Sequence, residues 1–435
     1  MPRTNRIRIL ILLALSVFVY LPALRLPFIS DDFGQIPLAR QYAAAGWDPL
    51  WRNVGLRTRA TYMVLDAALD SWFGFTPLPF YAASILLHVA CVLLVYAMGA
   101  WRGIPPPAAF WAACFFAIYE GHQEAVMWVA ASADLLVFLF GMAAWLCWVK
   151  WLQRPDWKWY CAALLAFLPG MASKESIWIF PFLMALPLVW DRPARRRGLV
   201  GLAPFFALAA VYIVWSWLSR VAGPGYHDMR FSLRSPWPVV VLRSAWRLLL
   251  PWGFLALGLL VWSRKREDRR QVWFAMAWLI LGIAPFCFLT YMLQIPSRHT
   301  YIASAGLALL AGAAACRLTL ENRRKLLWVL AATALAYNTE IVWVKKMSQF
   351  RERAEPSELL SKAAAEAAGP VYVDCTPLGE LTADWVLKDA GAQGVMRNRG
   401  PQGDPRCFSV EYTNRAGKDV WIRRELGARK HGAFY

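Results

Sequence analysis

The sequence predicts an α-helical polytopic membrane protein with a small C-terminal α/β domain. Hydrophobic residues make up 59% of the 435 residues, more than a soluble domain carries. They fall in blocks long enough to cross a bilayer. Basic residues stand in short bursts between those blocks, RPARRR at 192–197, RKREDRR at 264–270 and RRK at 323–325. The net charge of +19 is therefore a positive-inside pattern, which argues for contact with membrane lipids and against a nucleic-acid partner.

The apolar blocks give about eleven transmembrane helices, near 7–25, 79–99, 107–119, 133–152, 159–172, 175–190, 199–219, 238–262, 271–290, 300–317 and 326–344. With the N-terminus cytoplasmic, the short inner segments hold about twenty Lys and Arg against about five in the outer segments other than the long first loop. The first outer loop, 26–77, and the tail after Lys345 then lie on the outer face, so the chain divides into a membrane domain, 1–344, and a tail domain, 345–435. The first block has a basic start, but PALRLPFIS offers no small-x-small cleavage site, so it is expected to stay as a helix. In the first loop, IPLARQYAAAGWDPLWR has the pattern of a helix lying on the membrane surface as a lid or wall.

Trp101, Trp148, Trp151, Trp190 and Trp217 fall at predicted span ends, where they read as interfacial anchors. Pro169–Gly170, Pro181, Pro187, Pro251 and Pro285 mark bends. In the tail, PSELLSKAAAEAAGP and a stretch around 381–390 read as helices, and VYVDC, CFSVEY and DVWIRREL as strands. Cys91, Cys114, Cys147, Cys161, Cys287 and Cys316 sit in or at apolar blocks, where thiols behave as small hydrophobes. Cys375 and Cys407, in the polar tail, are either one disulfide or two thiols.

Asp31 and Asp32 stand side by side in SDDFGQ at the mouth of the first span, a costly place for two like charges. They are the leading functional candidates. On the predicted topology other ionisable groups share their leaflet: Arg57 and Arg59; His122 and Glu124 in YEGHQEAVMW; Asp134; Lys174 and Glu175 in ASKESIW; and Arg298, His299 and Tyr301 in PSRHTY. Each has a bland alternative, such as an interfacial Lys174–Glu175 ion pair or a dipole-favouring Asp134 at a helix start. Together they have the pattern of a site assembled from loops.

The order of these motifs resembles the GT-C superfamily of integral-membrane glycosyltransferases, in particular the protein O-mannosyltransferase-like branch that includes transmembrane mannosyltransferases with tetratricopeptide repeats. SDDF is similar to the family's acidic first-loop motif. His122, Glu124, Ala125, Val126, Trp128 and Asp134 match its H-x-E-A-V-x-W stretch, Ser173–Lys174–Glu175 its S-K-E, and Arg298, Tyr301 and Ser304 its R-x-x-Y-x-x-S. Tyr119–Glu120 replaces the family's His-Pro, and no tetratricopeptide array follows the membrane part.

The resemblance implies a glycosyltransferase in the bacterial inner membrane that moves a sugar from a polyprenyl-phosphate donor to a protein, lipid or glycan acceptor hydroxyl on the periplasmic face, with inversion. Asp31 is then expected as general base with Asp32 orienting it. Arg298, Lys174 and Arg59 are expected on the donor phosphate, and His122, Glu124, Glu175, Asp134 and Tyr301 on the supporting or acceptor side. A divalent cation, Mg or Mn, held by Asp31 and Asp32 remains open. A lipid-linked sugar flippase or transporter and a cell-envelope polysaccharide ligase are the alternative functions.

Overall fold

Alternating apolar blocks and polar breaks leave the chain little choice but helix in the membrane part, because a bilayer supplies no partners for backbone N–H and C=O groups. The computed structural model describes residues 3–48, 59–222, 234–263, 266–288, 295–397 and 407–426. Arg57 lies outside them. The helices are α1 (Arg3–Tyr20), α2 (Asp32–Ala44), α3 (Ala60–Phe73), α4 (Pro77–Ala97), α5 (Pro106–Ile118), the one-turn α6 (Gln123–Met127), α7 (Ser132–Gln153), α8 (Trp157–Met171), α9 (Phe180–Trp190) and α10 (Arg192–Ala222). They continue with α11 (Trp237–Leu249), α12 (Trp252–Ser263), α13 (Arg266–Ile283), α14 (Tyr301–Leu320), α15 (Arg324–Glu340), α16 (Met347–Glu366) and α17 (Glu380–Asp389).

Each of the eleven apolar blocks contains helix; residues 289–290 of the ninth lie outside the described residues. Six described helices are long and apolar enough to cross a membrane, and a seventh results if α11 and α12, bent by 76° at their break, count as one span. The other blocks form shorter helices, among them α5 and the run Glu175–Trp190. The predicted helix of the first loop, 36–52, is present in part as α2, with Phe33, Gly34, Ile36 and Ala39 buried; residues 49–52 lie outside the described residues.

The bundle packs through small residues. Gly312 of α14 lies so close to Ala108 and Ala112 of α5 that a Cβ there would strike backbone atoms, the close approach that small residues permit between membrane helices. Large rings fill the remaining space, and two predicted anchors prove to be among them. Trp101 is 7% exposed and Trp148 fully buried. Nearby, Pro187 lacks an N–H and so deprives the Leu183 carbonyl of its helical partner, and the Trp145 indole donates there instead at 3.2 Å. Trp148 donates to the next carbonyl, Met184, at 2.8 Å. The side chain of Trp217 lies outside the described residues.

The predicted boundary at 344/345 falls inside a continuous helical run, Arg324–Glu366, in which a π-helical segment, Ile341–Lys346, joins α15 to α16. The last membrane helix thus grows directly into the tail. The tail then adds β1 (Val371–Cys375), α17, β2 (Gly394–Met396), β3 (Cys407–Thr413) and β4 (Asp419–Glu425). The sheet order is β2-β1-β3-β4, with β1–β2 parallel and the pairs β1–β3 and β3–β4 antiparallel. Of the described tail elements β2 escaped the sequence reading, because three residues are too few for a pattern, and in the first loop α3 escaped it too.

Cys375 and Cys407 form a disulfide, their Cα atoms 5.9 Å apart across a sequence separation of 32. Such a crosslink restricts the unfolded chain. The double substitution Cys375→Ser/Cys407→Ser is expected to lower stability of the tail by roughly 2–4 kcal/mol, seen as a lower thermal midpoint for tail unfolding in the full chain. An unchanged midpoint, with and without reductant, would speak against the crosslink.

Candidate active site

Five loop regions and one tail helix meet at the end of the bundle where the tail sits. The chain leaves the first membrane helix through Ile29 and Ser30. Ser30 takes φ 45°, a left-handed conformation that costs a non-glycine residue energy. The turn is held by Asp32, whose Oδ2 accepts from the Ile29 amide at 2.9 Å and whose Oδ1 accepts from the Ala130 amide at 2.8 Å. Asp32 is fully buried, and burial pushes its carboxyl up to about 8 against the pull of those two amides. It ties the acid loop to the segment preceding α7.

Asp31 has different surroundings. It is only half-buried, at the N-terminal end of α2. Burial is the largest influence on its carboxyl and raises it; the guanidinium groups of Arg298, Arg353 and Arg59 act in the opposite direction without cancelling that rise. A carboxylate made more basic by partial burial and ringed by cations is the environment a general base needs.

The cations are held in turn by acids. Glu124 is 5% exposed. Its Oε2 accepts from the Arg298 amide at 3.2 Å and lies 4.0 Å from Arg298 Nη1, while its Oε1 lies 3.6 Å from Arg353 Nη1. Burial works to raise the Glu124 carboxyl, but the charges of Arg298 and Arg353 outweigh it and hold the group below its ordinary value. Both guanidinium groups also face the Trp128 ring, at 4.9 Å for Arg298 and 4.6 Å for Arg353. Arg59 pairs with Glu175 at 4.0 Å, and Thr61 beside it bonds Ser173 Oγ at 2.7 Å, which fixes α3 against the S-K-E segment.

Lys174 is committed elsewhere. Its ammonium donates to both oxygens of Asp134, at 2.7 Å and 2.6 Å, and lies 3.3 Å from His299 Nδ1. Phe286 stacks on His299 with ring centroids 4.4 Å apart. Lys174 thus pairs with Asp134, 40 residues away, and not with the adjacent Glu175.

His122 and Tyr301 lie deeper still. His122 Nε2 bonds Ser304 Oγ at 2.6 Å, Tyr301 OH bonds His88 Nδ1 at 2.7 Å, and both residues pack in one aromatic cluster with Phe116. They shape the core beneath the site. The structure therefore brings Asp31, Arg59, Glu124, Glu175 and Arg298 together, sets Lys174 and Asp134 beside them as a closed buried pair, and keeps His122 and Tyr301 away from the surface.

Sequence reading missed Arg353, because FRERAEP looks like ordinary polar tail and nothing local shows that α16 turns over the acid loop. For a divalent cation the donors fit poorly. Both Asp32 oxygens are engaged by amides, Asp31 stands among guanidinium groups, and among the described residues no three His, Cys, Asp or Glu side chains converge as a ligand set.

This architecture, a helical bundle with polar loops and a tail gathered at one end, is a fold shared with solved structures. Among solved structures, ArnT from Cupriavidus metallidurans bound to undecaprenyl phosphate aligns with a TM-score of 0.54 and 15% identity, over 93% of this chain and 87% of that one. The apo state of the same ArnT gives 0.54 and 14%, over 91% and 86%. The archaeal oligosaccharyltransferase AglB from Archaeoglobus fulgidus, in complex with an inhibitory peptide and a dolichol-phosphate, aligns at 0.49 and 12%, over 96% and 75%. No protein-family model and no curated protein sequence matches the chain.

Proposed function

We propose that this protein is a membrane glycosyltransferase that moves a sugar, a hexose as in the mannosyltransferase-like branch, from a polyprenyl-phosphate donor to an acceptor hydroxyl on the periplasmic face of a bacterial inner membrane. The observation that carries the reading is the gathering of Arg298 and Arg353 on Glu124 and Trp128 at the mouth of the bundle, with the half-buried Asp31 under their charge.

In the reaction, Asp31 takes the proton from the acceptor hydroxyl while that oxygen attacks the anomeric carbon. The bond from that carbon to the phosphate oxygen breaks, the electron pair leaves with the polyprenyl phosphate, and configuration inverts. The planar forks of Arg298 and Arg59 suit the phosphate oxygens that gain charge. Asp32 keeps the loop in place through its two amide bonds, and no step requires a metal.

A second feature supports a lipid donor. An apolar groove of about 770 Å³ runs between α1, α5, α12, α14 and α15, lined among others by Leu15, Phe115, Ile118, Trp252 and Leu335. Ile118 is followed directly by the Tyr119–Trp128 stretch that supplies Glu124. A long prenyl chain matches such a lining, with its phosphate at the polar end.

The test is transfer by the purified protein in detergent micelles with radiolabelled polyprenyl-phosphate hexoses and hydroxyl acceptors. Labelled acceptor and free polyprenyl phosphate are expected in equal amounts, at a rate that EDTA leaves unchanged. A flippase would consume nothing in micelles, so absence of turnover across the donor series would reject the reading, and loss of turnover in EDTA would reject the metal-free mechanism.

A further inference from the structure

We propose that the C-terminal unit completes the substrate site, with Arg353 as the second fork that holds the phosphate of the lipid donor; this deepens the glycosyltransferase reading and rests on it. Arg298 and Arg353 come from segments far apart in sequence, yet they share one carboxylate, Glu124, and one indole face, Trp128. Two guanidinium groups placed together repel. Glu124 lies within ion-pair distance of both and Arg59 has Glu175 nearby, so three guanidinium groups gather beside Asp31. Their side chains remain 21% and 18% exposed, within reach of a ligand. The Trp128 indole N–H in the same cluster is buried without an acceptor among the described residues. Two forks and a spare donor suit a phosphate monoester, which gains charge as the sugar leaves.

The fold registers Arg353 against the acid loop. One turn further along α16, Ser357 Oγ accepts from the Ser30 amide at 3.3 Å, immediately before Asp31. Trp385 of α17 packs on Gly34 of α2 so closely that any Cβ there would overlap its ring. Arg40 of α2 binds Asp70 in a fork at 2.6 Å and 2.7 Å, with the charge of Asp389 in α17 also acting on it. The tail thus grips the loop and helix that carry Asp31 from two sides while delivering a cation between them.

A purely structural Arg353 would bolt α16 to Glu124 and nothing more. The distinguishing measurement is equilibrium binding of undecaprenyl phosphate and of undecaprenol, the same chain without phosphate, to the full-length protein. Arg353→Gln is expected to weaken undecaprenyl phosphate about 10- to 100-fold, to leave undecaprenol unchanged and to preserve the thermal midpoint. Arg353→Lys is expected to fall between, because it keeps the charge and loses the fork; it also serves if the Gln variant folds poorly. Wild-type phosphate binding in both variants would overturn the assignment of Arg353 alone. Equal affinity of the unaltered protein for the phosphate and the alcohol would instead overturn the glycosyltransferase reading.

Discussion

Asp31→Asn is expected to lower the turnover number about 10²- to 10⁴-fold, the range general-base catalysis supplies, without raising KM for the lipid donor. Asparagine has the same shape but accepts no proton. Asp31 is half-buried and its side chain makes no cap hydrogen bond to α2, so folding and membrane insertion should be unaffected. Removing a negative charge from among three arginines makes the site more positive, so donor phosphate should bind as well or better. That split between the two constants is the signature of a base. The pH profile gives a second check: the base works only as the carboxylate, and burial raises its pKa above the usual 3.8. The acid limb of kcat/KM is therefore expected above the ordinary aspartate range, with activity falling as pH drops through it and the limb disappearing in Asp31→Asn. An unaltered turnover number with a raised donor KM would make Asp31 a binding residue and sink the mechanism.

Lys174→Met is expected to cost about 3–5 kcal/mol of stability, because it strands Asp134 as an uncompensated buried charge. Asp134 is 3% exposed and Lys174 6%, and the contacts at 2.6 Å and 2.7 Å use both carboxylate oxygens. The double variant Lys174→Met/Asp134→Leu should recover most of the loss, since a well-packed apolar pair often replaces a buried ion pair without penalty. A phosphate-binding lysine would behave otherwise: the single variant would hold its midpoint and lose donor affinity, and the double variant would rescue nothing. Thermal midpoints and donor KM measured on the same three proteins decide between these roles.

Much of the architecture was legible in the sequence. Hydropathy located the apolar helical blocks, because burying a backbone in hydrocarbon demands helix whatever the neighbours are, but not α3, which lies in the first loop. The tail elements were readable from alternation and from Gly369–Pro370, which follows α16. The number of crossings was less legible, since blocks such as 107–119 and 175–190 form helices shorter than a full span. Trp101 and Trp148 show a related limit. An amphipathic ring near a span end suits an interface, but the Met184 carbonyl inside the bundle holds the Trp148 indole.

Within the site, the sequence by itself determined which groups were costly enough to require a reason: paired aspartates at a membrane mouth and ionisable residues clustered at span ends. Composition and spacing settle such matters because they depend on neighbours a few residues away. Tertiary structure alone decided what each group does. It set Asp32 on two amides and left Asp31 among arginines; it gave Lys174 to Asp134; and it brought Arg353 to Glu124 across more than two hundred residues of chain. The physical reason is that charge and hydrogen bonding act over a few ångströms, and only the folded path brings residues so far apart in sequence within that range.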